Sequence, residues 1–199
     1  MNVAKRCLDL ILTILGLLVI WPVLFVVALL IKLRDAGPVF FRQERVGRGG
    51  RLFRIWKFRT MVVDAEKRGA SLTVGQDPRI TRMGHWLRKS KLDELPQLFN
   101  VLCGEMSLVG PRPEVPRYVA MYTPEQRQVL ALTPGITDLA SIKYRNESDL
   151  LAHADDAERV YIEEVMPEKI AINLEYAKHS HIGSDCAVIL NTLSKLFRR

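Results

Sequence analysis

Leu10-Ile11-Leu12-Thr13-Ile14-Leu15-Gly16-Leu17-Leu18-Val19-Ile20-Trp21-Pro22-Val23-Leu24-Phe25-Val26-Val27-Ala28-Leu29-Leu30-Ile31 is a run of 22 residues without a charged side chain. As a helix rising about 1.5 Å per residue it measures about 33 Å, against a hydrocarbon core of about 30 Å. All of its faces are apolar, which argues against a helix buried in a water-soluble core. A secretory leader has a shorter apolar centre and a small-residue cleavage site, and neither occurs here. Pro22 lies near the middle, where it removes a backbone donor and clashes with the preceding turn, so a bend is expected. Lys5 and Arg6 precede the run, and Lys32 and Arg34 follow it. Positive flanks favour the cytoplasmic side, and symmetric flanks give neither end a reason to cross. Two arrangements stay open on these residues alone: a tilted single-pass helix that tolerates its proline, and a helix bent at Trp21-Pro22 that enters one leaflet and returns.

Outward from this segment the chain turns basic. Its 199 residues carry a formal net charge of +7, enough length for one soluble domain beside an anchor. The division expected is 1–34 for the membrane-inserted helix and 35–199 for a cytoplasmic domain. Cys7, Cys103 and Cys186 are scattered and odd in number, which suits a reducing compartment and argues against structural zinc. The four histidines are equally dispersed and read as surface or packing residues. At the other end, Ser184 to Arg199 places Val188, Ile189, Leu193, Leu196 and Phe197 beside Lys195, Arg198 and Arg199. That is a basic amphipathic helix, suited either to a membrane surface or to packing on the core.

Between the two ends the pattern is α+β, mostly helical with a small hairpin. Val39 to Arg42 reads as a strand, Gly47-Arg48-Gly49-Gly50 as a turn, and Leu52 to Met61 as the returning strand. The glycines match neither a Walker loop nor a dinucleotide fingerprint. Period-two alternation places Phe53, Ile55, Lys57 and Arg59 on one face, so Lys57 and Arg59 offer either an anion-binding edge or a solvated surface. Met61 to Arg68 reads as a short helix, Ser71 to Asp77 as a loop with Asp77 as a helix cap, and Arg79 to Lys89 as a helix. Ser107 to Val109 reads as a short strand. Thr123-Pro124 starts a further helix, broken at Thr133-Pro134-Gly135-Ile136-Thr137. Helices over about Ser148 to Val165 and Pro167 to Lys178 follow.

Leu92-Asp93-Glu94-Leu95-Pro96-Gln97-Leu98-Phe99-Asn100 places two adjacent carboxylates at a helix start, amid Arg88, Lys89, Lys91, Arg112 and Arg117. Leu95, Leu98, Phe99 and Leu102 supply the apolar stripe, and Pro96 is tolerated in a first turn. Nearby cations and a helix N-terminus both favour the ionised form. Such carboxylates can bind a divalent metal or attack phosphorus; taken alone, the pair would merely cap its helix. Arg112 stands between Pro111 and Pro113. Prolines restrict the residues before them, so this arginine loses little entropy on gripping an anion, and its fork suits a phosphate. The plainer alternative is a turn arginine paired with Glu114.

Taken together, these residues resemble a known family. Lys5-Arg6 with Asp9, Gly37-Pro38-Val39-Phe40-Phe41-Arg42-Gln43-Glu44-Arg45-Val46-Gly47, Lys57-Phe58-Arg59-Thr60-Met61, Asp77-Pro78-Arg79-Ile80-Thr81-Arg82, Leu92 to Gln97 and Ser107 to Pro113 follow one another in the order and spacing of the bacterial sugar transferases, the monotopic phosphoglycosyl transferases. The resemblance covers nearly the whole chain and has the minimal form of the family. It implies an enzyme that moves a sugar 1-phosphate from a UDP-sugar to polyprenol (undecaprenyl) phosphate and releases UMP, the first membrane step of polysaccharide biosynthesis. It further implies a re-entrant helix at the cytoplasmic face of the bacterial inner membrane, with both termini cytoplasmic, contact with membrane lipid, and magnesium. The family's Asp-Glu dyad maps onto Asp93 and Glu94, as catalytic residues and metal ligands. Lys57, Arg59, Arg88, Arg112 and Arg145, with Pro111 and Pro113, are the candidates for binding the phosphates and nucleotide. A homodimer is allowed, and nucleic acid is not expected as a partner. Two departures stand out: Trp21 precedes the proline where many relatives have a small polar residue, and Asp138 and Ser141 replace a glycine and part of an Ala-Gln pair.

Other functions predict different behaviour. A membrane-tethered basic module for anionic lipid or nucleic acid would use the aromatic-interleaved Arg42 to Arg59 segment and would not need Asp93. A hydrolase forming an aspartyl phosphate would turn over without a lipid acceptor. A polytopic transferase would need more than one apolar segment.

Overall fold

The computed structural model describes residues 2–35, 37–65, 74–75 and 77–197. Helix α1 runs from Val3 to Arg34, capped by Asn2, whose side chain accepts from the Ala4 amide. Helical geometry continues through Pro22. Its middle is bare: Leu18, Val19, Trp21 and Phe25 are 60–76% exposed. Its two ends are not. Near the N-terminus, Arg6 donates to the carbonyls of Val101 and Leu102, and the buried Asp9 carboxylate accepts from the Ser107 hydroxyl at 2.8 Å and the Leu108 amide at 3.2 Å. Near the C-terminus, Val27 and Ile31 pack with Phe58 and Leu87.

Strands β1 (Phe40–Val46) and β2 (Leu52–Phe58) form the expected antiparallel hairpin, in register from Phe40 opposite Phe58 to Val46 opposite Leu52. Its turn, Arg48–Gly50, needs a positive φ of 68° at Gly49, which glycine adopts without strain. Helix α2 (Arg82–Ser90) starts three residues later than its apolar spacing predicts, because Thr81 is the cap, accepting from the Gly84 amide. Asp77 is not a cap: its carboxylate accepts from the Arg79 amide and guanidinium. The helix expected at Met61 to Arg68 is not formed over residues 61–65: Met61 bridges to Ile80 and the Ala65 amide closes a tight turn on the Val62 carbonyl, while residues 66–68, and 71–73 and 76 of the expected loop, lie outside the described residues.

Helix α3 (Leu98–Cys103) leads to β3 (Ser107–Val109). The stretch Gly135–Thr137, expected only to break a helix, is strand β4, parallel to β3. The two backbones lie so close at Gly110 and Gly135 that a Cβ on Gly135 would sit 2.1 Å from the Gly110 nitrogen. Local sequence cannot reveal a pairing between segments this far apart. Helix α4 (Pro116–Val119) follows β3. The stretch after Thr123 is a tight helix of three residues per turn, Gln126–Ala131, entered from Glu125, and the Thr123 hydroxyl accepts from the Gln126 amide. After β4 come α5 (Leu139–Lys143), α6 (Glu147–Ala152), α7 (Ala157–Val160), a π-helical turn (Tyr161–Val165), α8 (Met166–His179) and α9 (Ile182–Phe197). The single helix expected over Ser148 to Val165 is therefore two short helices and a π turn. The main core joins Val46 of the hairpin to Val115, Tyr118, Val119, Tyr161 and Ile170. On α9, Val188 is buried whereas Leu190 and Leu193 are 66% and 46% exposed.

Candidate active site

Gly84 lets α2 press against β2's end, since a Cβ there would meet the Thr60 carbonyl oxygen at 1.9 Å. This brings Arg88 to Thr60, where its Nε donates to the hydroxyl at 2.9 Å. Lys91 then turns the chain in the left-handed region, φ 58°, a conformation that costs a non-glycine residue energy and clusters at functional sites. The dyad lies immediately after that turn, in a tight helix of three residues per turn (Leu92–Gln97), rather than in the first turn of an α-helix as the apolar stripe predicts.

The two carboxylates differ in environment. Glu94 is held by two cations: Arg112 donates from Nη1 to Oε2 at 2.9 Å and from Nη2 to Oε1, and Lys57 Nζ donates to Oε1 at 3.0 Å. Burial alone would raise its carboxyl, but Arg112 and Lys57 hold it well below the usual range. Asp93 is 7% exposed, and its Oδ1 is buried without a hydrogen-bond partner among the described residues. Burial and the adjacent Glu94 push its carboxyl above the ordinary value, although Lys57, Lys91 and Arg88 pull the other way. The surrounding cations therefore secure Glu94 but do not keep Asp93 at an ordinary value, contrary to the expectation from charge count. Arg112 is raised by Glu94, whereas burial lowers Lys57 and Arg88.

The structure brings Asp93, Glu94, Lys57 and Arg112 together, with Arg88 close enough to act electrostatically on both carboxylates. Arg112 pairs with Glu94 and not with Glu114, which takes Arg45 as its partner. Arg59 is buried and donates from Nη2 to the Asp35 carbonyl at 2.8 Å, bracing the exit from α1. Arg145 is exposed and donates to the Lys195 carbonyl on α9. Trp21 and Pro22 lie in the bare middle of α1.

Residue patterns missed three supports. Asp9 holds the strand that enters the Pro111–Pro113 loop. Asp138 is buried, caps α5 through the Ser141 amide and accepts from Asn173. Arg45, Glu114 and Tyr161 form a network behind Arg112. Their signals were the carboxylate just before the apolar run, the caps-like Asp-x-x-Ser spacing, and the glutamate directly following Pro113.

The bacterial sugar transferase family matches residues 1–199. The chain belongs to that family. The UDP-glucose:undecaprenyl-phosphate glucose-1-phosphate transferase of Escherichia coli (strain K12) is 37% identical, over 97% of this chain and 40% of that protein. The undecaprenyl-phosphate glucose phosphotransferase of Komagataeibacter xylinus is 40% identical, over 96% of this chain and 35% of that protein. The exopolysaccharide production protein PSS of Rhizobium leguminosarum bv. phaseoli is 40% identical, over 96% of this chain and 94% of that protein. The chain thus spans less than half of the first two relatives and nearly all of the third. The fold is α+β, and helix α1 is long and apolar enough to be a membrane segment.

Proposed function

We propose that this sugar transferase moves a sugar 1-phosphate from a UDP-sugar to a polyprenyl phosphate through a covalent intermediate on Asp93. The observation that carries this reading is the buried, unpartnered Oδ1 of Asp93 beside a glutamate already engaged by Arg112 and Lys57. An ionised oxygen stripped of water and hydrogen bonds is a strong nucleophile, and its raised proton affinity follows from the same desolvation. Asp93 Oδ1 attacks the β-phosphorus of the donor. The bond from that phosphorus to the bridging oxygen breaks, and UMP leaves with the electron pair. A phosphate oxygen of the polyprenyl phosphate then attacks the same phosphorus, and the Asp93 carboxylate leaves. Two steps let a water-soluble donor and a lipid acceptor use one small site in turn.

Arg112 and Lys57 balance charge on the donor's diphosphate; Glu94 keeps both cations in place before the donor arrives. Among the described residues no cluster of three or more His, Cys, Asp or Glu is arranged to hold a metal alone. Magnesium commonly takes one or two carboxylates, several waters and the substrate's phosphates; Glu94 and the Asp93 carboxylate, through the oxygen not used in the attack, would hold it. When bound, magnesium would neutralise charge growing on the phosphoryl oxygens.

The position of α1 supports a re-entrant arrangement. Both ends touch one folded domain, Arg6 and Asp9 at one end and Val27 and Ile31 at the other, so both ends belong on the same side of the bilayer. The bare apolar middle then enters one leaflet, and the domain rests on the cytoplasmic face of the bacterial inner membrane. Leu190 and Leu193 of α9 add an apolar surface suited to the same interface.

The test is UMP release from a panel of UDP-sugars, with and without polyprenyl phosphate, combined with trapping by donor labelled in the sugar. Labelled Asp93, and product only when acceptor is present, is expected. Product formation without a modified Asp93 would overturn the covalent reading.

A further inference from the structure

The network of Arg45, Glu114 and Tyr161 takes no part in the transfer as described, yet it is largely buried, with the Arg45 and Glu114 side chains each 16% exposed. Removing an ion pair from water costs more than packing apolar residues in its place, so packing alone does not explain it. Its contacts converge on one loop. Arg45 Nη1 donates to the Pro113 carbonyl at 3.0 Å and to Glu114 Oε1 at 3.4 Å, and its Nη2 donates to Gln43 Oε1. Glu114 Oε1 also accepts from the Val115 amide at 2.8 Å, and the Glu114 carbonyl accepts from the Val46 amide at 2.9 Å. The Tyr161 hydroxyl donates to Glu114 Oε2.

On the far side of Arg112, the Pro111 carbonyl accepts from the Gly135 amide at 3.0 Å, and the Gly110 amide donates to the Thr137 carbonyl at 3.0 Å. Arg112 is therefore flanked by two prolines whose carbonyls are tied to different elements, β4 and β1. A cavity of about 50 Å³, lined by Arg112, Glu114, Tyr122, Tyr161 and Lys169 among others, lies beside the loop. The loop has room to relax if the tie to Glu114 is lost. Tyr161 begins the π turn, an interruption common at functional sites, and burial keeps its phenol protonated as a donor.

We infer that Tyr161, through Glu114 and together with Arg45, is a positioning residue for Arg112, fixing the guanidinium where the donor's diphosphate arrives. This rests on the reading of Arg112 as the diphosphate grip. The test is a double-mutant cycle read by calorimetric binding of UDP to the full chain in nanodiscs, in magnesium-containing buffer. Tyr161→Phe removes one hydroxyl and is expected to weaken UDP binding about fivefold. In an Arg112→Ala background the same change is expected to alter binding less than about twofold, because the residue it acts through is gone. Equal losses in both backgrounds, or no loss in the parent, would overturn the inference while leaving the Arg112 reading standing. UDP binding unaffected by Arg112→Ala would instead remove that reading, and the inference with it. Arg45→Lys serves in the same cycle, with the same outcomes, if Tyr161→Phe does not fold.

Discussion

The turn that carries Asp93 and Glu94 and the middle of α1 invert the ordinary burial rule in opposite ways. Around Asp93 and Glu94, charge is enclosed: Asp93 is 7% exposed, and Lys57 and Glu94 are about 15% exposed at the side chain. In α1, Val19 is 76% and Phe25 63% exposed. A soluble protein hides large apolar side chains and solvates its ions. On the proposed function each inversion is resolved by a partner of matching chemistry, a phosphate for the first and a lipid acyl layer for the second. The difference lies in how each is supported. The turn is held by ionic contacts from Lys57 on β2 and Arg112 on the loop after β3, whereas among the described residues α1 is held at its two ends.

The largest expected effect breaks the first inversion. Asp93→Asn should lower product formation by about 10³-fold or more while UDP binding survives, measured by UMP release and calorimetry. Full activity would remove Asp93 as nucleophile. Arg112→Ala should cost about 10²-fold in kcat/KM, because a preorganised charge on the phosphoryl group is lost. On the other side of the comparison, Leu18→Asp should reduce recovery in the membrane fraction, since a carboxylate at the centre of an inserted helix costs about 3 kcal/mol. Single cysteines at Asn2 and Arg34, placed in a chain lacking Cys7, Cys103 and Cys186, should both resist a membrane-impermeant label in intact cells. A periplasmic Asn2 would exclude the re-entrant arrangement.

The smallest effect concerns pH and separates the two carboxylates. Asp93 is raised, so its ionised, reactive form disappears as pH falls through a value above the ordinary 3.8, and the acid limb of the rate should lie there. For stability the sign reverses between the neighbours. A folded carboxyl raised above its unfolded value costs stability once pH rises through that folded value, so Asp93→Asn should raise the Tm at pH 8 and lose this gain toward pH 4. Glu94, held well below 4.5, contributes stability above that value and loses it as pH falls through its folded value. A Tm of Asp93→Asn that is lower than the parent's at pH 8 would contradict the desolvation assigned to Asp93.

Much of this arrangement is legible in the chain. Period-two alternation places Lys57 on a possible anion-binding edge, the flanking prolines single out Arg112, and the charge-free run marks α1; that Lys57 meets Glu94 is seen only in the structure. Arg59 and Arg145 show the limit: composition gives a cation but not its direction, and backbone carbonyls at Asp35 and Lys195 take both. The tight turn at Leu92–Gln97 is hidden from a 3.6-residue period, because Leu95 and Leu98, three residues apart, fit either helix. Asp9 with Ser107 and Glu114 with Tyr161 are 98 and 47 residues apart, beyond any local period. The β3–β4 pairing is hidden for the same reason, with its cost in close backbone contact visible only as two glycines.

The docking of both ends of α1 on one domain has a mechanical consequence. If α1 dips into one leaflet and returns, as proposed, it has no opposite surface to reach, and the thickness of the bilayer drops out of its energetics, unlike a span that must tilt or stretch to match. Turnover in vesicles of short-chain and long-chain lipids should then be alike. On that proposed arrangement the depth at which the domain sits is set by the protein's own contacts at the two ends of α1, and the same enzyme would serve membranes that differ in thickness.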